Sequence, residues 1–139
     1  MSADPTPLEF RAAHRYARIG ARKARRVVDL IRGATANQAL DVLQHDPHRA
    51  APMVRKVLAS AVANALQHPE VKANRLIVSL ALVQGGPLLQ GRMRFRPGPM
   101  GRAMPFRRRT CHILIRVADP QVMLPAEVET AVADEGGEE

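Results

Sequence analysis

Tryptophan is absent, tyrosine occurs once and phenylalanine three times. With only Phe10, Tyr16, Phe95 and Phe106, the chain lacks the aromatic-paved sheet on which many single-strand-binding modules stack bases, so readout by shape and phosphate contact is favoured. Cys111 is the sole cysteine, which excludes an intramolecular disulfide framework and a Cys-cluster zinc site and fits a reducing compartment. No apolar run approaches the ~18 residues of a membrane span. Asp4 and Glu9 sit in an N-terminus without a hydrophobic stretch, unlike a secretion signal, so a cytoplasmic protein with no membrane partner is expected. Paired carboxylates, glycine-rich phosphate loops and serine-nucleophile motifs are missing, and His14, His45, His48, His68 and His112 show no metal-ligand spacing. The expectation is no enzyme: no catalytic residue, no metal, no cofactor and no small-molecule substrate.

What the sequence does hold is arginine. Its 139 residues suffice for one domain with tails. All 21 Lys and Arg lie between residues 10 and 118, against only Asp29, Asp41, Asp46 and Glu70, a formal charge of +17. Residues 1–9 carry −2, and residues 119–139 carry seven acids and no base, so the net +8 hides a strongly basic body. A globular body of that charge repels itself unless a polyanion neutralises it. An anionic membrane surface competes for that role, but 18 of the 21 cations are Arg, whose planar fork matches phosphate and stacks on bases, which favours RNA or DNA.

Three segments follow from charge and pattern: a flexible N-terminus over 1–9, one domain over 10–118, and an acidic, disordered, solubilising tail over 119–139. A sharper role for the tail is transient shielding of the arginines before RNA docks. Within the domain, Phe10 to Ile19 alternates weakly, with Phe10, Ala12, His14 and Tyr16 on one side, and reads as a basic strand. Ala24, Val27, Val28 and Ile31 mark a short amphipathic helix stopped by Gly33. Its first turns carry Arg22, Lys23, Arg25 and Arg26, the wrong sign for the positive end of a helix dipole, a conflict that a phosphate partner would remove. Thr35 and Gln38 form a capping box for a second helix, with Ala39, Leu40 and Leu43 inward, ending near His45. Val54, Val57, Leu58, Ala61, Val62, Ala65 and Leu66 make an unbroken helical stripe, with Pro52 in the first turn or, if the helix starts at Pro47, inside it. Leu76 to Gln84 and Thr110 to Val117 read as paired strands, with Leu76, Val78, Leu80 and Leu82 sharing one face of the first. The fold class is therefore α+β, with three helices on a small three-stranded antiparallel sheet.

Residues 85–109 between those strands hold five Gly, four Pro, seven Arg and no acid, and are too long for an ordinary hairpin loop. As a long protruding β-hairpin turning near Pro97 to Gly101, each arm would reach roughly 40 Å at about 3.3 Å per residue. An isolated ribbon of that length is marginal in water, so ordering by a partner is expected. Arg92, Arg94 and Arg96 alternate with Met93 and Phe95, separating cations from apolar side chains, and Phe95 would meet Phe106 if Gln84 sits opposite Val117.

Two acid-free clusters result: Arg11, Arg15, Arg18, Arg22, Lys23, Arg25 and Arg26, and Arg92, Arg94, Arg96, Arg102, Arg107, Arg108 and Arg109. A solvated basic surface is the bland explanation for one such cluster, but two on one small body argue for a nucleic-acid interface. Competing classes are a DNA-binding nucleoid protein, which would need base-reading side chains on an exposed helix, and a small enzyme using Cys111 and His112, which fall on opposite strand faces.

The segments Arg22-Lys-Ala-Arg-Arg-Val-Val-Asp-Leu-Ile-Arg-Gly33, Val57-Leu-Ala-Ser-Ala-Val-Ala-Asn-Ala65, Gly86-Pro87, Arg94-Phe-Arg-Pro97, Gly101-Arg-Ala103 and Arg108-Arg-Thr-Cys-His-Ile113 resemble, in order, the bacterial large-subunit ribosomal protein twenty-two family. The similarity spans roughly residues 10–118 and implies three helices on a small antiparallel sheet with a long β-hairpin. It further implies a structural constituent that binds large-subunit rRNA, bridges several rRNA domains during ribosome assembly and lies near the exit of the nascent-peptide tunnel. Other large-subunit ribosomal proteins and the nascent polypeptide are the remaining implied partners. In that role Pro97, Gly98, Pro99, Met100, Gly101 and Arg102 would line the tunnel, while Arg92, Arg94, Arg107, Arg108 and Arg109 grip rRNA. Two positions depart from the usual pattern: Gly20-Ala21 replaces a common Ser-Pro helix start, and Gly98-Pro99 stands where Arg-Ala is common. On the acidic tail the resemblance is silent.

Overall fold

The computed structural model describes residues 7–123. Its elements run β1 (Pro7–Ala17), α1 (Ala21–Val28), α2 (Ala36–His45), α3 (Ala51–Leu66), β2 (Ile77–Leu88), β3 (Arg94–Pro97), β4 (Ala103–Phe106) and β5 (Arg109–Met123). This is an α+β fold in which β1, β5 and β2 form an antiparallel three-stranded sheet with β5 in the centre. Cys111, Ile113, Ile115 and Val117 alternate into the core from β5. α3 packs on β1 and β5, α1 on β2 and β5, and α2 on α3. The stripe on α3 is buried at Val54, Val57, Leu58, Ala61 and Ala65. Truncating a fully buried residue such as Leu58, Ile113 or Ile115 to Ala is worth about 2–5 kcal/mol.

Local chemistry sets the helix ends. Thr35 caps α2, its Oγ1 accepting from the Gln38 N–H at 3.4 Å. Pro52 falls in the first turn of α3, where its missing N–H costs no intrahelical bond, so the helix starts at Ala51 and not at Pro47. Gly33 adopts φ +72°, a conformation that suits glycine, and lets the chain leave α1 and zip along β2. There the Gly33 N–H donates to Val78 O, the Val78 N–H to Ala34 O and the Ala36 N–H to Leu76 O.

Both edge strands change face partway, which simple alternation does not anticipate. In β2 a register shift between Val78 and Leu80 moves burial from Leu76 and Val78 to Ala81 and Val83, leaving Leu82 exposed, not on the Leu76 face. In β1 a shift between His14 and Ala17 sends Ala17 inward and turns Tyr16 out, 61% exposed at φ +57°. A bulky side chain held in the left-handed region costs about 1–3 kcal/mol.

Three sequence expectations need correction. β1 begins at Pro7 and pairs Glu9 with Ala118, so residues 7–9 belong to the sheet and not to a flexible N-terminus. β5 continues to Met123 with Asp119 buried, so the sheet runs past the point where charge placed the tail. Charge composition divides the chain by partner, whereas backbone pairing decides which residues are ordered. The remainder of the tail, from residue 124, and residues 1–6 lie outside the described residues. Finally, Gln84 sits opposite His112 and Val117 opposite Val78, so Phe95 faces Pro105 and Phe106 faces Arg94 instead of the two rings meeting. The reason is an asymmetric connection: five residues separate β2 from β3, coiled through left-handed Gln90 and Gly91, against two between β4 and β5.

Candidate nucleic-acid interface

Arg11 and Arg15 project from β1, Arg18 from the bend after it, and Arg22, Lys23, Arg25 and Arg26 from α1; all seven are exposed. Gly20 caps α1 without a side-chain bond, and no acid occupies the first turn. Only Arg22 and Lys23 stand at the positive end of the helix dipole, however; α1 is eight residues long, so Arg25 and Arg26 fall in its last turn, where the dipole favours cations, and the expected conflict is confined to the first two. Arg25 has an internal task as well: its Nε and Nη2 donate to Val83 O at 3.4 and 3.3 Å. Arg32 does the same at Ala81 O, 3.1 Å, while pairing with Asp29. Together with the Gly33–Ala36 segment, these guanidinium groups satisfy carbonyls along the outer edge of β2 and block its extension by another strand.

The second cluster lies on residues 85–109, none of which is buried. β3 and β4 pair antiparallel from Arg94–Phe106 to Pro97–Ala103, and the Leu89 N–H donates to Arg108 O at 2.8 Å below them. At the turn, Gly98 donates to Arg102 O at 2.7 Å, with Met100 and Gly101 both at positive φ and Met100 97% exposed. Phe106 is half-buried beneath cations: the Arg96 guanidinium lies 4.4 Å from its ring centroid and that of Arg108 5.9 Å. Such contacts contribute about 0.5–1 kcal/mol each at exposed sites and fix the guanidinium planes without neutralising them. Arg94, half-buried, donates to Gln90 Oε1 at 3.3 Å. Arg92, Arg102, Arg107 and Arg109 are exposed.

The two clusters, far apart in sequence, converge on one row of the sheet. Ala17, Cys111 and Gly85 lie opposite one another across the three strands there. Arg18 follows Ala17, Arg109 lies two residues before Cys111, and Arg25 reaches Val83 two residues from Gly85. Among the described residues no carboxylate pairs with any of the fourteen cations; Asp29 engages Arg32, Glu9 engages Arg116 and Asp46 engages His48. This field is suited to a phosphate backbone.

Cys111 is fully buried, and burial pushes its thiol above the ordinary range, away from the nucleophilic thiolate. His112 points to the other face and accepts the Tyr16 N–H on Nδ1 at 3.0 Å, so the two make no catalytic pair. Arg49, Arg55 and Lys56 are also exposed around the start of α3 and without a carboxylate partner among the described residues, but they are too scattered in sequence to form a recognisable cluster. The contact between Tyr16 and His112 has no signal in the sequence, since only the bulge brings them together.

Comparison with known proteins gives the family of the chain. The family described as "Ribosomal protein L22p/L17e" matches residues 12–118. The "Large ribosomal subunit protein uL22" of Synechococcus sp. (strain JA-3-3Ab) is 46% identical over 131 residues, covering 94% of this chain and 98% of the relative. The chain belongs to the ribosomal protein L22p/L17e family: a structural, non-enzymatic protein of the large ribosomal subunit in the cytoplasm.

Proposed function

We propose that this chain binds large-subunit rRNA through both cation clusters, bridges several rRNA domains during assembly, and extends the β3–β4 ribbon as a hairpin that lines the nascent-peptide exit tunnel. The observation that carries this reading is the set of fourteen clustered cations, thirteen of them exposed, facing no carboxylate among the described residues. Arg11, Arg15, Arg18, Arg22, Lys23 and Arg26 hold one RNA segment against the body, and Arg92, Arg94, Arg107, Arg108 and Arg109 hold others along the ribbon arms. Their convergence at the ribbon base supports bridging, because one rigid sheet row then fixes the angle between RNA segments bound on either side. RNA also orders the ribbon, whose own ladder is four residue pairs long and lacks a buried side chain.

At the tip, Pro97, Gly98, Pro99, Met100, Gly101 and Arg102 face the tunnel and the nascent polypeptide. Support comes from Met100, an apolar side chain presented to solvent on a tight turn, beside Arg102, the one cation of that turn. Neighbouring large-subunit proteins are the remaining partners. Photocrosslinkers at positions 96 and 102 in assembled subunits test the arrangement: position 96 should crosslink to rRNA, and position 102 to rRNA and to stalled nascent chains. Crosslinks from 102 confined to solvent-side proteins would refute tunnel lining.

A further inference from the structure

Tyr16 is the only tyrosine of a chain without tryptophan, and the fold turns it outward. Its φ of +57° is one that glycine or asparagine adopts far more readily than an aromatic residue. The strand bulges between His14 and Ala17 to accommodate it, and the ring remains 61% exposed while its neighbours Ala17 and Ile19 enter the core. Strain of this kind, spent on exposing a large apolar ring, points to a partner for the ring outside the chain.

The surroundings specify that partner. The Tyr16 N–H donates to His112 Nδ1 at 3.0 Å, and the two rings meet edge to face, centroids 4.8 Å apart at 79°. His112 thus braces the phenol from one side. In sequence, exposed Arg15 and Arg18 flank Tyr16, and Arg109 stands three residues before His112, all without a carboxylate partner among the described residues. A braced aromatic ring among phosphate-binding cations has the composition of a single-base stacking site, in which an unpaired base lies on the ring and its flanking phosphates on the arginines. A protein partner would instead be expected to bring acids to the arginines and no planar group to the ring.

We infer that Tyr16, braced by His112 and flanked by Arg15, Arg18 and Arg109, is a stacking platform for one unpaired base of RNA. This rests on the RNA-binding reading and adds to it a contact that salt does not screen. Because Tyr16 is the only tyrosine and tryptophan is absent, the intrinsic emission of the full chain reports this ring directly. Titration with a short oligoadenylate should quench that emission, and an abasic polymer of equal length and charge should bind without quenching. Tyr16→Asn, which suits the backbone and removes the ring, should weaken oligoadenylate binding about five- to a hundredfold and leave abasic binding unchanged. Tyr16→Phe should retain the wild-type affinity, and a thermal melt of each variant verifies that the body is folded. Equal quenching by both polymers, or equal oligoadenylate affinity of wild type and Tyr16→Asn, would overturn the platform while leaving RNA binding intact. Failure of the wild-type chain to bind either polymer would overturn the RNA-binding reading and the platform together.

Discussion

Gly86 of β2 packs tightly against Thr110 of β5. A Cβ there would stand 2.6 Å from Thr110 Oγ1 and 3.1 Å from the Thr110 carbonyl carbon, and that hydroxyl already donates to Pro87 O at 2.7 Å. Gly86→Ala must therefore rotate a nearly buried threonine off its acceptor or part the strands, at a cost of about 1–3 kcal/mol. Chemical denaturation measures the loss; an alanine variant as stable as wild type would contradict the close approach. Asp46 gives a residue-scale prediction with a defined sign. Its carboxyl is held below the ordinary 3.8, first by the hydrogen bond with the His48 side chain and then by the His48 N–H, donated at 3.0 Å. A depressed folded value means that the unfolded chain takes up the proton first, so the stabilisation is complete above 3.8 and fades as pH falls through the lower folded value. Asp46→Asn should be less stable than wild type at neutral pH, with the gap between their urea midpoints closing in acid. A gap independent of pH would show that the charge has no part in the turn.

At the scale of elements, body and ribbon separate energetically. The core is drawn from the helices and from the portions of β1, β2 and β5 outside residues 85–109. Replacing residues 89–108 by a tight turn that joins Leu88 to Arg109, already paired across the sheet, should shift the melting temperature of the body by no more than a few degrees. Circular dichroism would report this, and loss of the cooperative transition would mean that the ribbon helps fold the body. The same division explains what the sequence reveals. The α3 stripe, the Thr35 cap and the Pro52 boundary are legible because each is encoded within a turn or two of helix. Strand existence is legible for the same reason, from β-branched residues around Val78 and Ile113. Strand faces beyond Ser79 and Tyr16 are not, because one inserted residue reverses the alternation and leaves no compositional trace. Nor does charge alone distinguish Arg25, tied to Val83 O, from Arg22 and Arg26, which have no such acceptor among the described residues. That assignment depends on a contact 58 residues away in the chain.

For the whole molecule, the decisive quantity is the number of cations left to meet phosphate. Arg25, Arg94, Arg96 and Arg108 are engaged by a carbonyl, an amide and a ring, which leaves Arg11, Arg15, Arg18, Arg22, Lys23, Arg26, Arg92, Arg102, Arg107 and Arg109 without a partner among the described residues. Each phosphate neutralised by such a group releases counterions and contributes roughly −0.7 to −0.9 to the slope of log affinity against log salt. If six to ten of these groups engage, binding of large-subunit rRNA should fall by roughly three to five decades between about 50 and 200 mM salt. Paired charge reversals discriminate specific neutralisation from diffuse attraction. Arg22→Glu with Arg26→Glu, on an exposed helix face outside the core, should flatten the slope with little change in melting temperature, because the dipole favours Glu in the first turn of α1 and disfavours it in the last. The same exchange at Arg32, which pairs with Asp29 and braces Ala81 O, should lower stability more than it alters the slope. Slopes that follow only the number of charges reversed, with Arg32→Glu flattening the slope half as much as the double variant, would mean that net charge alone draws RNA to the protein and that the geometry of the two clusters is incidental.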